Sequence, residues 1–124
     1  MTLQELYQSI GGDYEQATRV LRMDKLIDKH IRKFTKNGVV EALLAAGNTM
    51  DPTALFETAH AVKGVCANLG LTALSDTASE ITEEFRPGHS RTLSDADISA
   101  KLRKLEEQYH RVAEGIRRYE NGLF

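Results

Sequence analysis

The sequence has no tryptophan, one cysteine and two prolines in 124 residues. A lone cysteine, Cys66, closes no internal disulfide and is too few for a zinc cluster. No apolar run approaches the ~18 residues of a membrane span, and no charged start followed by an apolar stretch marks a signal peptide. Charge of one sign is not in excess either. Sixteen basic and 18 acidic side chains leave a formal charge of -2, whereas a dedicated nucleic-acid binder is normally basic. There is no glycine-rich phosphate loop with its lysine, and no carboxylate pattern for holding Mg²⁺ and ATP. Alternation of apolar and polar residues long enough for a strand is missing as well. What remains is an ordinary globular composition, 41% hydrophobic and 27% charged. Its length suits a single cytoplasmic domain, 1–124, that buries roughly two thirds of its unfolded surface.

Helix signals are plentiful. Thr2 and Glu5 have capping-box spacing, as do Asp13 and Gln16 after Gly11-Gly12. Asp51 followed by Pro52 reads as an N-cap with proline at the first helical position, where a missing N–H costs nothing. Met50 and Leu55 have staple spacing around that start. Ser94 and Asp97 repeat the pattern, with Leu93 and Ile98 as the staple. Apolar residues then recur at steps of three and four. The longest series is Ile98, Leu102, Leu105, Tyr109, Val112, Ile116 and Tyr119. Leu55, Ala59, Val62, Cys66 and Leu69 form the central stripe, followed by Leu74, Ala78, Ile81 and Phe85. Met23, Ile27, Ile31 and Phe34 make a shorter stripe, and Val40, Leu43 and Leu44 a weaker one. Gly70 closes the central helix and Thr72 can cap the next, which predicts a tight antiparallel hairpin. Arg86 to Thr92 is the one long loop. The expected fold is all-α: an antiparallel four-helix bundle with short additional N-terminal helices.

The central helix breaks the packing rules on its outer face. Glycine inside a helix costs about 1 kcal/mol relative to alanine. At ~100° per residue, Gly64 lies about 180° from the apolar stripe and His60 about 140°. A close-packing role within the bundle does not explain Gly64, so close approach by something external does. Ala61 and Ala67 are too small to block the imidazole, and Lys63 at i+3 can swing its ammonium toward whatever the ring carries. A neutral imidazole is a competent nucleophile near pH 7, its unperturbed pKa being about 6.5. A lysine offsets the charge of a phosphorylated ring as a mobile point charge. This surface suits accepting and donating a phosphoryl group, not mobilising one from ATP.

The segment Ala59-His60-Ala61-Val62-Lys63-Gly64-Val65-Cys66-Ala67-Asn68-Leu69-Gly70 resembles the signature of histidine-containing phosphotransfer (HPt) domains. That signature is His-x-x-Lys-Gly with a glycine six residues beyond the lysine-glycine pair, where Gly70 stands. The resemblance covers most of the chain, from Ile10-Gly11-Gly12-Asp13 through the helix ending at Phe34 to the final helix. Val62 stands where leucine is more usual. The resemblance implies a carrier in a multistep two-component phosphorelay rather than an enzyme. His60 would accept a phosphoryl group from a receiver-domain aspartate and pass it to another receiver. Lys63 would neutralise the group, and Gly64, with Ala61, Ala67 and Asn68, would admit the partner. The implied partners are response-regulator receivers and a hybrid sensor histidine kinase. Mg²⁺ is expected only on the receiver, with no cofactor on this chain. No nucleic acid or membrane is expected as a partner, and the chain is expected to be a monomer. The starting Met1 and the lack of a linker at either end favour a free-standing carrier.

The other histidines read more blandly: His30 as a boundary residue packing through its ring, His89 as a solvated loop residue, His110 as part of a charged face with Glu106 and Glu114. Cys66 reads as a small core residue. Two rival functions compete with the carrier. One is a phosphorylation-independent adaptor of the same shape. The other is a di-metal carboxylate bundle built on Glu57/His60 and Glu107/His110, whose ligands would have to face inward.

Overall fold

The computed structural model describes residues 1–122, so the last two positions of the expected 1–124 domain lie outside it. Seven α-helices and no strand occur among the described residues. They are α1 (Leu3–Ile10), α2 (Tyr14–Leu21), α3 (Asp24–Phe34), α4 (Val39–Thr49), α5 (Pro52–Asn68), α6 (Thr72–Glu84) and α7 (Asp95–Glu120). Helices α4 to α7 form the antiparallel four-helix bundle. Helix α5 packs against both α4 and α6, and α7 closes the bundle against the same two. Of the short N-terminal helices, α1 lies along α7, α2 bridges α5 and α3, and α3 reaches α7.

Local chemistry starts the helices where the sequence signals it. The Thr2 and Glu5 side chains exchange hydrogen bonds with each other's backbone N–H, and Ser94 and Asp97 do the same. Asp13 accepts from the Gln16 N–H and Asp51 from the Ala54 N–H. Each cap satisfies a donor that the first turn would leave open. Thr72 is a correction. Leu71 holds the N-cap position of α6 without a side-chain cap, and Thr72 lies inside the first turn, its hydroxyl donating to the Gly70 carbonyl. The reason is the way α5 ends. Leu71 N–H donates to the Cys66 carbonyl at 2.8 Å and Gly70 N–H to the Ala67 carbonyl at 3.2 Å. These are the paired bonds of a Schellman close, with Gly70 left-handed at φ +68°. The chain therefore turns into α6 within three residues.

That corner is held from outside as well. Asp13 N–H donates to the Gly70 carbonyl at 2.7 Å, and a Cβ on Gly70 would lie 2.1 Å from the Asp13 carbonyl oxygen. The buried Tyr7 hydroxyl donates to the Leu69 carbonyl at 2.7 Å. Both α1 and the cap of α2 thus fix the end of α5.

The expected stripes form the core. Leu55, Ala59, Val62, Cys66 and Leu69 are all buried, as are Leu74, Ala78, Ile81 and Phe85 and the α7 series from Ile98 to Ile116. Leu44 and Tyr119 are only half-buried. Met23 departs from its stripe: it precedes α3 as the N-cap residue and is 53% exposed, whereas Ile27, Ile31 and Phe34 are buried. The α6–α7 connection wraps around buried Glu84, whose carboxylate accepts from the Thr92 hydroxyl and from the N–H groups of Thr92 and Leu93.

Candidate functional site

Helix α5 presents the predicted face to solvent. His60, Ala61, Gly64 and Asn68 are exposed, while Lys63 and Ala67 are half-buried along its flank toward α6. A Cβ built on Gly64 would meet nothing within 4 Å. The two other glycines inside helices differ sharply. A Cβ on Gly47 would lie 2.4 Å from a Leu102 methyl, and one on Gly115 would lie 2.3 Å from an Ile10 methyl. Those two let helices approach each other. Gly64 has no such neighbour among the described residues, yet still bears the helix-propensity cost of about 1 kcal/mol.

The exposed His60 ring has an aromatic neighbour on its own helix face. It stacks on Phe56, one turn earlier, with centroids 5.9 Å apart and planes 10° from parallel. The guanidinium of Arg86 lies 5.6 Å from the Phe56 ring centroid. Arg86 in turn makes a two-pronged pair with Glu83, at 2.9 Å from Nε and 2.7 Å from its terminal nitrogen. These hydrogen bonds hold the Glu83 carboxyl below its usual range, and the field of Lys63 adds to the effect. The Lys63 ammonium itself makes no hydrogen bond or ion pair among the described residues. Of these two cations, Arg86 is paired with Glu83, whereas Lys63, one helical turn from His60, is unpaired among the described residues.

Sequence reasoning missed Phe56 and Arg86. Phe56 carried a signal, since an aromatic at i-4 shares the face of His60. Arg86 carried none, because only the α5–α6 hairpin brings it near.

The remaining histidines split. His30 is exposed and lines a groove of about 420 Å³ with Leu21, Lys33, Asn37, Val65, Asn68 and Leu69, so it is not a packed boundary residue. His89 is more than a solvated loop residue, because its Nε2 lies 3.8 Å from the buried Glu84 carboxylate. His110 is exposed beside Tyr109. Glu57, His60, Glu107 and His110 all face solvent. Among the described residues no three His, Cys, Asp or Glu side chains gather as a metal would need. Cys66 is buried in the core, and burial pushes its thiol up to about 12, which makes it a poor thiolate.

Searches of curated proteins and of solved structures returned no match. The family profile described as "Hpt domain" matches residues 3–115, which take in all of α1 to α6 and most of α7. Helical architecture and sequence profile thus agree over nearly the whole length, and the chain belongs to the Hpt domain family, whose role is histidine phosphotransfer in phosphorelays.

Proposed function

We propose that His60 is the phosphoryl acceptor and donor of this chain, exchanging the group with the aspartates of receiver domains. The observation that carries the reading is Gly64: a mid-helix glycine with open space around it, one turn from an exposed imidazole. In the forward step a neutral ring nitrogen of His60 attacks the phosphorus of a receiver's aspartyl phosphate. A P–N bond forms while the P–O bond to the aspartate breaks, and the carboxylate leaves with the electron pair. The proton on the other ring nitrogen stays in place. Stacking on Phe56 limits the orientations the ring samples, which lowers the entropy lost on reaching an in-line geometry. Lys63 supplies the countercharge, and Ala61, Gly64, Ala67 and Asn68 form the surface the partner covers.

Mg²⁺ and the second reacting group belong to the receiver in this scheme, which makes the chain a carrier rather than an enzyme. A hybrid sensor kinase upstream, a monomeric state and a cytoplasmic location complete the proposal. No helix among the described residues is long and apolar enough to cross a membrane. The test is phosphorylation by a panel of receivers charged with acetyl phosphate. The expected label is acid-labile, alkali-stable and absent from His60→Gln. Absence of label with every receiver overturns the carrier reading, and label that survives His60→Gln overturns the site.

A further inference from the structure

We propose that Phe56 is a positioning residue that sets the orientation of the His60 ring for phosphoryl transfer, and that Arg86, held by Glu83 at the end of α6, braces Phe56 in that role. The inference rests on His60 as acceptor and concerns how its ring is presented. It starts from a second break in the packing rules of α5. Leu55, Ala59, Val62 and Cys66 are buried, whereas Phe56 lies outside that stripe and is half-buried. Phenylalanine is a weaker helix former than the alanine or charged residues that usually fill such a place. Part of its side chain packs on the core, and two of its ring contacts are polar: the His60 imidazole and the Arg86 guanidinium.

Planes 10° from parallel with centroids 5.9 Å apart describe a displaced stack, a favourable arrangement for two aromatic rings. The imidazole makes no hydrogen bond or ion pair among the described residues. Its outer torsion is intrinsically broad, so the stack is the contact that favours one orientation. Arg86 lies within cation–π reach of Phe56. Its two bonds to Glu83, at 2.9 and 2.7 Å, fix the plane of the guanidinium. A fork of the same kind joins Arg117 to Glu114 on α7, at 3.0 and 2.6 Å, but lies over no aromatic ring among the described residues. The fork is thus ordinary surface chemistry, and its placement beside Phe56 is what differs.

The consequence is kinetic. Transfer needs the attacking ring nitrogen, the phosphorus and the departing aspartate oxygen in line. A ring spread over many orientations reacts in few of its docked complexes, and a ring biased toward one reacts in more. Such a bias adds no contact to the receiver. It therefore acts on the maximal transfer rate and leaves the half-saturating receiver concentration alone. Because Glu83 pairs the charge of Arg86, the brace works through geometry, and the countercharge remains with Lys63.

The experiment compares the full chain with Phe56→Leu, Arg86→Gln and Glu83→Gln, and with Arg117→Gln as the matched surface control, helicity being checked by circular dichroism. Two quantities are read. One is the proton NMR shift of the His60 ring, which the Phe56 ring current moves in the parent. The other is transfer from an acetyl-phosphate-charged receiver, followed against receiver concentration. Phe56→Leu is expected to return the His60 shifts to those of a solvated histidine and to lower the maximal rate about tenfold. Arg86→Gln is expected to move the shifts part of the way and to lower the rate about threefold, with half-saturation unchanged. Glu83→Gln loosens the fork but keeps the cation, and should act in the same direction by less. Arg117→Gln should match the parent in both readouts. A faster rate in Glu83→Gln would assign Arg86 an electrostatic role and overturn the brace. Raised half-saturation with unmoved His60 shifts would make Phe56 and Arg86 receiver contacts and overturn the positioning role. Parent-like shifts and rates in Phe56→Leu overturn the inference and leave His60 as acceptor. Failure of the parent to take label from any receiver, with the His60 shifts still dependent on Phe56, overturns the acceptor reading and with it the role in transfer.

Discussion

Three glycines sit inside helices of this protein, and the space around each separates structure from function. Gly47 and Gly115 lie where a Cβ would strike a side chain of a neighbouring helix, so hydrogen is needed there for packing. Gly64 lies in the open, and no contact among the described residues opposes a larger residue. Replacing it by alanine is therefore expected to stabilise the fold by about 1 kcal/mol, through helix propensity alone. Glutamine at the same position should be tolerated by the fold for the same reason. Its side chain would stand one turn from His60, in the path of an approaching domain. The expected outcome is a melting temperature at or above the parent's together with transfer from a receiver slowed at least tenfold, a cost of about 1.4 kcal/mol in the transition state. Transfer at the parent rate by Gly64→Gln would show that the open space has no bearing on docking. Phe56 and Lys63 complete the residue-level account. One stacks on the imidazole with centroids 5.9 Å apart, and the other, one helical turn from His60, is a cation left unpaired among the described residues.

At the scale of elements, what was legible in the sequence is what is local. The caps at Thr2, Asp13, Asp51 and Ser94 are decided within four residues, and each forms as the spacing predicts. The buried stripes of α5, α6 and α7 follow from phase alone, and so does the outward placement of His60 and Gly64. Met23 was misplaced because its spacing to Ile27 fits the α3 stripe, although the helix begins after it. Thr72 was misplaced because the Schellman bonds that close α5 draw Leu71 into the N-cap position. Contacts that span the chain left no local trace, among them the approach of Arg86 to Phe56. Glu84 is another such case. It is buried at the end of α6, and hydrogen bonds from Leu93 N–H first, then Thr92, hold its carboxyl below the usual carboxylate range. A carboxyl depressed in the folded state contributes stability above its unfolded pKa, and that contribution is lost as pH falls through the folded value. Glu84→Gln is accordingly expected to be less stable than the parent at neutral pH, with the difference closing below about pH 4. Paired urea titrations across that range check this. A difference that stays constant down to pH 3 would mean that the charge of Glu84 does not anchor the α6–α7 connection.

For the whole molecule, the question is whether the N-terminal helices are an appendage or part of the unit that holds the site. Three links favour the second. The Tyr7 hydroxyl donates to the Leu69 carbonyl across 62 positions of sequence. Asp13 clasps Gly70, and Gly115 lets α1 sit directly on α7. The first two links end on the turn that terminates α5, so loosening α1 would loosen the far end of the helix bearing His60. Tyr7 is almost wholly buried, and burial drives its hydroxyl well above the usual phenol range, leaving it a neutral donor at any working pH. Tyr7→Phe keeps the ring and deletes only the donor, stranding a buried carbonyl at a cost of about 1–3 kcal/mol. For a chain of this length each kcal/mol lowers Tm by about 4 °C. The variant is therefore expected to melt roughly 4–12 °C below the parent. It should do so in a single transition, seen alike by helix signal and by calorimetry, because α1 to α3 and the bundle share one core. Two separated transitions, or a loss of stability confined to the first 37 residues in hydrogen exchange, would show that the N-terminal helices fold independently of the phosphotransfer bundle.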